Sequence, residues 1–274
     1  MSIISIIIAA ILILAAVYLF MIAPRMIGKP DVSALRGVHY AHRGLHDNKS
    51  DAPENSMKAF QKAVDAGYGI ELDVQLSKDE IPVVFHDETL NRMCGVDGKV
   101  WQYTLEELQK MKLADSDETI PTFEAVLKTV GGKVPLIVEY KLDVPSTKVC
   151  DIADPMLKNY RGTYCIESFH PFAVRWYKLH RPEVIRGQLS EDFMKVEKYK
   201  GKPLYWILSN LMLNFLGRPD FIAYNHKDCK NVSRRLCTKL GALPVAYTIK
   251  SQEQYENVKN EFDLFIFDSF ILKN

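Results

Sequence analysis

Residues 70–76 read Ile70-Glu71-Leu72-Asp73-Val74-Gln75-Leu76, and their alternation is the key to the fold. In a strand, successive side chains point to opposite faces, so Glu71 and Asp73 share one face while Leu72 and Val74 take the other. Working outward, similar short runs recur at 38–42, 82–86, 136–140, 164–169, 184–189, 221–224, 245–249 and 264–267. Helical patterns lie between most of them, at 56–66, 105–111, 122–130, 146–159, 171–179, 229–240 and 252–260. In the first, Met57, Phe60, Ala63 and Val64 recur on one face, with Asn55 and Ser56 available as caps. Repeated strand-then-helix order predicts a parallel sheet, and this many units predicts closure into a TIM-type (β/α)8 barrel. The runs give nine strands where the barrel needs eight, so one is expected as a hairpin arm or a misassigned stretch. The alternative, a doubly wound open sheet, lacks support because no Gly-x-Gly-x-x-Gly follows the first strand.

The 274-residue chain is 47% hydrophobic and 25% charged, ordinary for a globular core, and a barrel near this size is commonly one domain. A formal net charge of +1 leaves no electrostatic footprint for nucleic acid. Cys94, Cys150, Cys165, Cys229 and Cys237 are odd in number and form no Cys-x-x-Cys pair, which argues against a disulfide framework and for a reducing compartment. From Ile3 to Ala23 the chain carries no charge, and a helix over that span reaches about 30 Å, the thickness of a bilayer's hydrocarbon core. No basic side chain precedes this run and no small-residue cleavage site follows it, so an uncleaved anchor is preferred to a signal peptide. Arg25, Lys29 and Arg36 follow the span, which places the rest of the chain on the cytoplasmic side of the cell membrane. The expected division is an anchor at 1–24, a linker at 25–37 and a barrel domain at 38–274.

Inside a barrel, paired carboxylates such as Glu71 and Asp73 repel and resist ionisation unless a cation lies between them. Glu139 closes a second apolar run, 134–138, with Lys141 two residues on and on the same face. Three carboxylates from two strand ends make a hard-oxygen site suited to one divalent cation, Mg²⁺ or Ca²⁺, rather than Zn²⁺. His42 ends the first strand and His86 the third, at the barrel end where such folds place chemistry. Two histidines can divide a general base and a general acid between them. Arg43 offers a planar fork for phosphate oxygens and Lys141 a point charge. Each of these residues alone reads as a solvated strand end or an ion-pair partner; their joint placement is what points to chemistry. His39, His46, His170, His180 and His226 are expected to be structural, with His170 and His226 the hardest to dismiss.

These residues fall into ordered motifs: His42-Arg43-Gly44, Pro53-Glu54-Asn55-Ser56, 71–79 from Glu71-Leu72-Asp73 onward, and Pro82-Val83-Val84-Phe85-His86-Asp87. Leu90-Asn91-Arg92, Thr104-Leu105-Glu106-Glu107-Leu108, Ile120-Pro121-Thr122-Phe123-Glu124 and Val138-Glu139-Tyr140-Lys141 continue the series. The set closely resembles the signature of the glycerophosphodiester phosphodiesterases, strongly to residue 141 and loosely after it, through Glu167-Ser168-Phe169, Tyr247-Thr248-Ile249 and Phe267-Asp268. The resemblance implies Glu71, Asp73 and Glu139 as ligands of a divalent cation, His42 and His86 as the acid/base pair, and Arg43 and Lys141 as phosphate contacts. It makes Glu54 an orienting partner of Arg43 or of the metal shell. Two departures, Tyr247 where a Trp is usual and Phe267-Asp268 where Thr-Asp is usual, are expected on the far wall of the pocket. The large inserted subdomain of some relatives is absent between His86 and Ile120.

The implied reaction is metal-dependent hydrolysis of a glycerophosphodiester to sn-glycerol 3-phosphate and an alcohol. A lysophospholipase D acting on membrane lysophospholipids and an inactive membrane-bound interaction module are the alternatives. A second apolar stretch, 203–217, is too short and too polar to span a bilayer. It is expected either as a buried barrel helix or as a helix that dips into the membrane beside the anchor.

Overall fold

The structure, a computed structural model, describes residues 2–142 and 146–272. Nine strands follow in chain order: β1 (Tyr40–His42), β2 (Gly69–Leu76), β3 (Pro82–Val84), β4 (Leu136–Tyr140), β5 (Tyr164–Ser168), β6 (Arg186–Ser190), β7 (Phe221–Asn225), β8 (Leu243–Ile249) and β9 (Leu264–Phe267). All but β3 pair in parallel, in the order β1-β9-β8-β7-β6-β5-β4-β2, and β1 pairs β2 to close the barrel. The surplus ninth strand is the hairpin arm: β3 runs antiparallel to β2, with Val74 opposite Val84.

The helices are α1 (Ile3–Ile22), α2 (Met57–Asp65), α3 (Asn91–Cys94), α4 (Leu105–Leu108), α5 (Phe123–Val130), α6 (Lys148–Asn159), α7 (Pro171–His180), α8 (Pro203–Ser209), α9 (Asn214–Gly217), α10 (Val232–Lys239) and α11 (Gln252–Val258). Several begin where a side chain satisfies an otherwise unpaired backbone N–H. Ser56 accepts from Ala59, Thr122 from Ala125, Asn231 from Arg234 and Ser251 from Gln254. The Asn231 cap explains why α10 starts three residues later than the apolar pattern predicts.

The 203–217 stretch is not one helix. It breaks between α8 and α9, where Leu211 takes a left-handed φ of 56° and buries its side chain. The polar interruptions turn inward: Ser209 accepts from the Phe193 amide, and Asn214 donates to the Ile22 carbonyl of α1.

Side-chain alternation along the strands sorts the molecule into layers. Outward residues such as Leu72, Val74, Val138 and Ile166 pack beneath the helices. Inward residues near the strand starts, among them Tyr40, Ile137, Phe221 and Leu243, fill the lower barrel, with Leu35 beneath them. One pleat further along the same inward faces come Glu71, Glu139, Glu167 and His42. The apolar layer ends where the charged layer begins.

The 25–37 segment lies against the barrel base, where Arg25 donates to the Pro182 carbonyl and Lys29 to the Gly241 carbonyl. Ahead of it, α1 is long and apolar enough to cross a membrane, by length and composition.

Candidate active site

The layer of inward charged side chains sits at the C-terminal ends of the strands. Glu71 and Asp73 of β2 and Glu139 of β4 are buried, and one oxygen from each lies within 4.8 Å of the others. Register explains this, because β2 pairs β4 with Asp73 opposite Glu139. Lys141 stands above them, its Nζ 3.0 Å from Asp73 and 2.6 Å from Glu139.

Arg43 enters from the loop after β1. Its backbone N–H donates to Glu71 at 3.1 Å, and its guanidinium lies 3.6 Å from Asp73 and 2.6 Å from Glu54. The loop achieves this with left-handed backbone at Arg43 and Asn55, joined by a hydrogen bond from the Asn55 N–H to the Arg43 carbonyl. Gly44 must be glycine: at φ +83° a Cβ would meet the Ala59 backbone at 2.8 Å. Asn55 also donates to Asp73. Glu54 is thus the orienting partner of Arg43, and it is bound in turn by Arg92 and Asn48.

The electrostatics follow from burial. Burial pushes the Glu71 carboxyl well up, and the charges of Asp73, Glu139 and Glu167 add to this. Burial opposes ionisation of Asp73 as well, but Lys141, His86 and Arg43 hold it below the usual carboxylate range. Glu139 stays raised by burial despite Lys141. Hard oxygens this close, with Glu71 and Glu139 resisting ionisation and a further buried oxygen (Glu167 Oε2) lacking a hydrogen-bond partner, fit a divalent cation.

His42 lies 3.8 Å from Glu71, and burial together with Arg43 lowers its pKa to about 4. Its other ring nitrogen faces Asp268 at 3.5 Å, and Asp268 also meets His46 at 3.0 Å. His86 bonds Asp87 at 2.7 Å, and Asp87 is held by Arg92. A cleft of about 760 Å³ opens at this end, lined by His86, Glu139 and Lys141 and by Phe169, Phe193 and Leu208, with the Lys141 ammonium 5.9 Å from the centre of the Phe169 ring. His42, Arg43, Glu71 and Asp73 are not among its lining residues and join it through the Asp73–Lys141 pair.

All seven expected residues therefore converge on one end of the barrel. Asp268 is a correction: it stands beside His42 and His46, not on a far wall. His46 shares that carboxylate and so stands next to the site. Of the remaining histidines, His39 packs edge-on against Tyr255 and Phe265, His180 stacks on Trp176, and His226 faces the Tyr247 carbonyl. His170 caps α7 and also lines the cleft. Glu167 joins the carboxylates only through register, because β5 places it opposite Glu139. Tyr247 packs edge-on against Phe169, which lines the cleft, while Tyr247 itself lines a smaller pocket beside Asn225 and His226.

Comparison with known proteins bears on the fold and the family. Residues 42–259 match the model of the glycerophosphoryl diester phosphodiesterase family. A glycerophosphodiester phosphodiesterase of Caldanaerobacter subterraneus is 34% identical over 188 residues, covering 61% of this chain and 75% of that protein. A crystal structure of a Thermotoga maritima glycerophosphodiester phosphodiesterase superposes with a TM-score of 0.62 at 26% identity, over 84% of this chain and 94% of that one. An Oleispira antarctica phosphodiesterase, solved in complex with the product sn-glycerol-3-phosphate, shares the fold with a TM-score of 0.69 at 24% identity, over 85% and 93% of the two chains.

Proposed function

The chain belongs to the glycerophosphoryl diester phosphodiesterase family and is a phosphoric diester hydrolase, and we propose that it cleaves glycerophosphodiesters to sn-glycerol 3-phosphate and an alcohol. The observation that carries this reading is the approach of Glu71, Asp73 and Glu139 to within 4.8 Å, with His42 3.8 Å from Glu71. Those three carboxylates would hold one divalent cation, Mg²⁺ or Ca²⁺. Bound there, the cation would polarise a non-bridging phosphoryl oxygen and lower the pKa of a nearby hydroxyl or water.

The chain's own residues supply the rest. Arg43 and Lys141 offset the charge that grows on the phosphoryl oxygens. One of His42 and His86 takes the proton of the nucleophile, either water or the adjacent glycerol hydroxyl. The other gives a proton to the oxygen of the departing alcohol. Asp268 and Asp87 are positioning residues, each aligning one histidine ring. Residues 3–23 would anchor the enzyme in the cell membrane with the barrel in the cytoplasm.

A lysophospholipase D reading is favoured by one observation, the apolar side chains of Phe169, Phe193 and Leu208 that line the same cleft as His86, Glu139 and Lys141. An inactive interaction module is disfavoured, because such a module has no need of the complete carboxylate and histidine set. Release of sn-glycerol 3-phosphate from glycerophosphocholine, compared with release of lysophosphatidic acid from lysophosphatidylcholine, tests these readings. Turnover of neither substrate by the purified protein would leave the inactive module standing.

A further inference from the structure

Helix α1 and helix α10 run side by side in the same direction. Tyr18 Oη lies 2.7 Å from Ser233 Oγ, and four residues further along each helix the Cys237 thiol donates to the Ile22 carbonyl at 3.2 Å. Because α10 connects β7 to β8, it descends from the mouth of the barrel, where the strands end, to the base, where they begin. α1 descends with it. Its last turn is clamped near the base by Asn214 and by Arg218, which donates to the Phe20 and Ala23 carbonyls. Its opposite end, residues 3–17, therefore stands out past the mouth, with every residue exposed except Ala9, which is half-buried.

Length makes this orientation consequential. Residues 3–17 extend about 22 Å at 1.5 Å per residue, whereas a hydrocarbon core is about 30 Å thick. If α1 spans, the mouth side of the barrel has to sit about 8 Å into the membrane, a depth typical of interfacial elements. The chain there has the matching chemistry. Between β6 and β7, Lys195, Lys198, Lys200 and Lys202 are all exposed; Lys195 pairs with Asp192 and Asp228 and Lys200 with Glu197, so the excess positive charge rests on Lys198 and Lys202. Beside them Leu204 is 56% exposed and Trp206 50%, and Val232 at the start of α10 is 66% exposed. Lysines, a tryptophan and aliphatic side chains on one surface are the composition of a segment that rests on an anionic leaflet.

We propose that the bilayer lies over the mouth of the barrel and that residues 195–206 rest in the headgroup layer of an anionic leaflet. The cleft then takes phosphodiesters that a hydrocarbon chain still holds in the membrane. The orientation stands independently of the catalytic reading; the substrate clause rests on it.

The test uses the full chain in nanodiscs of phosphatidylcholine and phosphatidylglycerol whose acyl chains are brominated near the headgroup end. Bromolipid should quench the wild-type tryptophan emission more than that of Trp206→Phe. Equal quenching of the two proteins overturns the orientation. The triple variant Trp206→Ser/Lys198→Gln/Lys202→Gln should hydrolyse lysophosphatidylcholine in those discs about tenfold more slowly or worse, the scale expected for removing two lysines and an interfacial tryptophan. Its turnover of glycerophosphocholine, which is soluble in water, should be unchanged. Equal loss on both substrates, or loss on neither, overturns the substrate clause. If the wild type turns over neither diester, the catalytic reading fails while the quenching result still decides the orientation.

Discussion

Asp268 Oδ2 lies 3.5 Å from His42 Nδ1, so the residue after the last strand of the barrel aligns a histidine at the end of the first. The contact is possible because β9 closes the barrel against β1. Burial opposes ionisation of Asp268, yet the His42 and His46 rings beside it hold the carboxyl far below its usual range. Asp268→Asn should lower kcat about 10–100-fold, the usual scale for losing the partner that orients a functional side chain. KM for glycerophosphocholine and the affinity for added Mg²⁺ should hold. Steady-state kinetics check this, and a rise in KM with kcat intact would remove Asp268 from the role.

His42→Ala and His86→Ala should each lower turnover about 10²–10⁴-fold, the usual contribution of a general acid or base. A nitrophenyl diester, whose leaving group departs without a proton, should rescue whichever variant lacks the acid. Rates near wild type in either variant would exclude that histidine from the mechanism.

Much of this arrangement was legible in the sequence because period-two alternation converts directly into facing. Glu71 and Asp73 share a face by spacing alone, as do Glu139 and Lys141, and the barrel turns those faces inward. What spacing does not reveal is which strands become neighbours at closure. Asp268 and His42 are more than two hundred residues apart, and only the β1–β9 pairing brings them together. Glu167 shows the same limit, since its carboxyl gains meaning only opposite Glu139. The 203–217 stretch is illegible for another reason: its apolar run has the composition of one helix, whereas Ser209 and Asn214 hydrogen-bond inward and Leu211 breaks the run.

Glu54 links acid stability to the site. Burial raises its pKa, but Arg92, Arg43 and Asn48 more than offset this and hold it at about 2 in the folded protein, against 4.5 when free. The unfolded chain therefore binds the proton more readily. The resulting stabilisation is present above about pH 4.5 and is lost as pH falls toward 2. Glu54→Gln should remove on the order of 2–3 kcal/mol at neutral pH and flatten the acid limb of a stability profile. Urea titrations of both proteins between pH 2 and 7 check this; parallel profiles would show that the ion pairs of Glu54 with Arg43 and Arg92 add nothing.

For the topology, a C-terminal reporter that matures only outside the cytoplasm should give no signal when fused to the full chain. Arg25, Lys29 and Arg36 follow the apolar helix and favour that side. A strong signal, or a mature protein beginning after Ala23, would reverse the assignment.

The central claim is that Glu71, Asp73 and Glu139 hold a divalent cation without which the diester is not cleaved. Glu71→Ala, Asp73→Ala and Glu139→Ala should each weaken cation affinity while the barrel stays folded. The most direct measurement is glycerophosphocholine turnover by the full-length protein stripped with EDTA, followed across a titration of Mg²⁺ or Ca²⁺. Turnover should vanish in chelator and return saturably with one of the two ions; undiminished turnover in EDTA would rule out the cation's role.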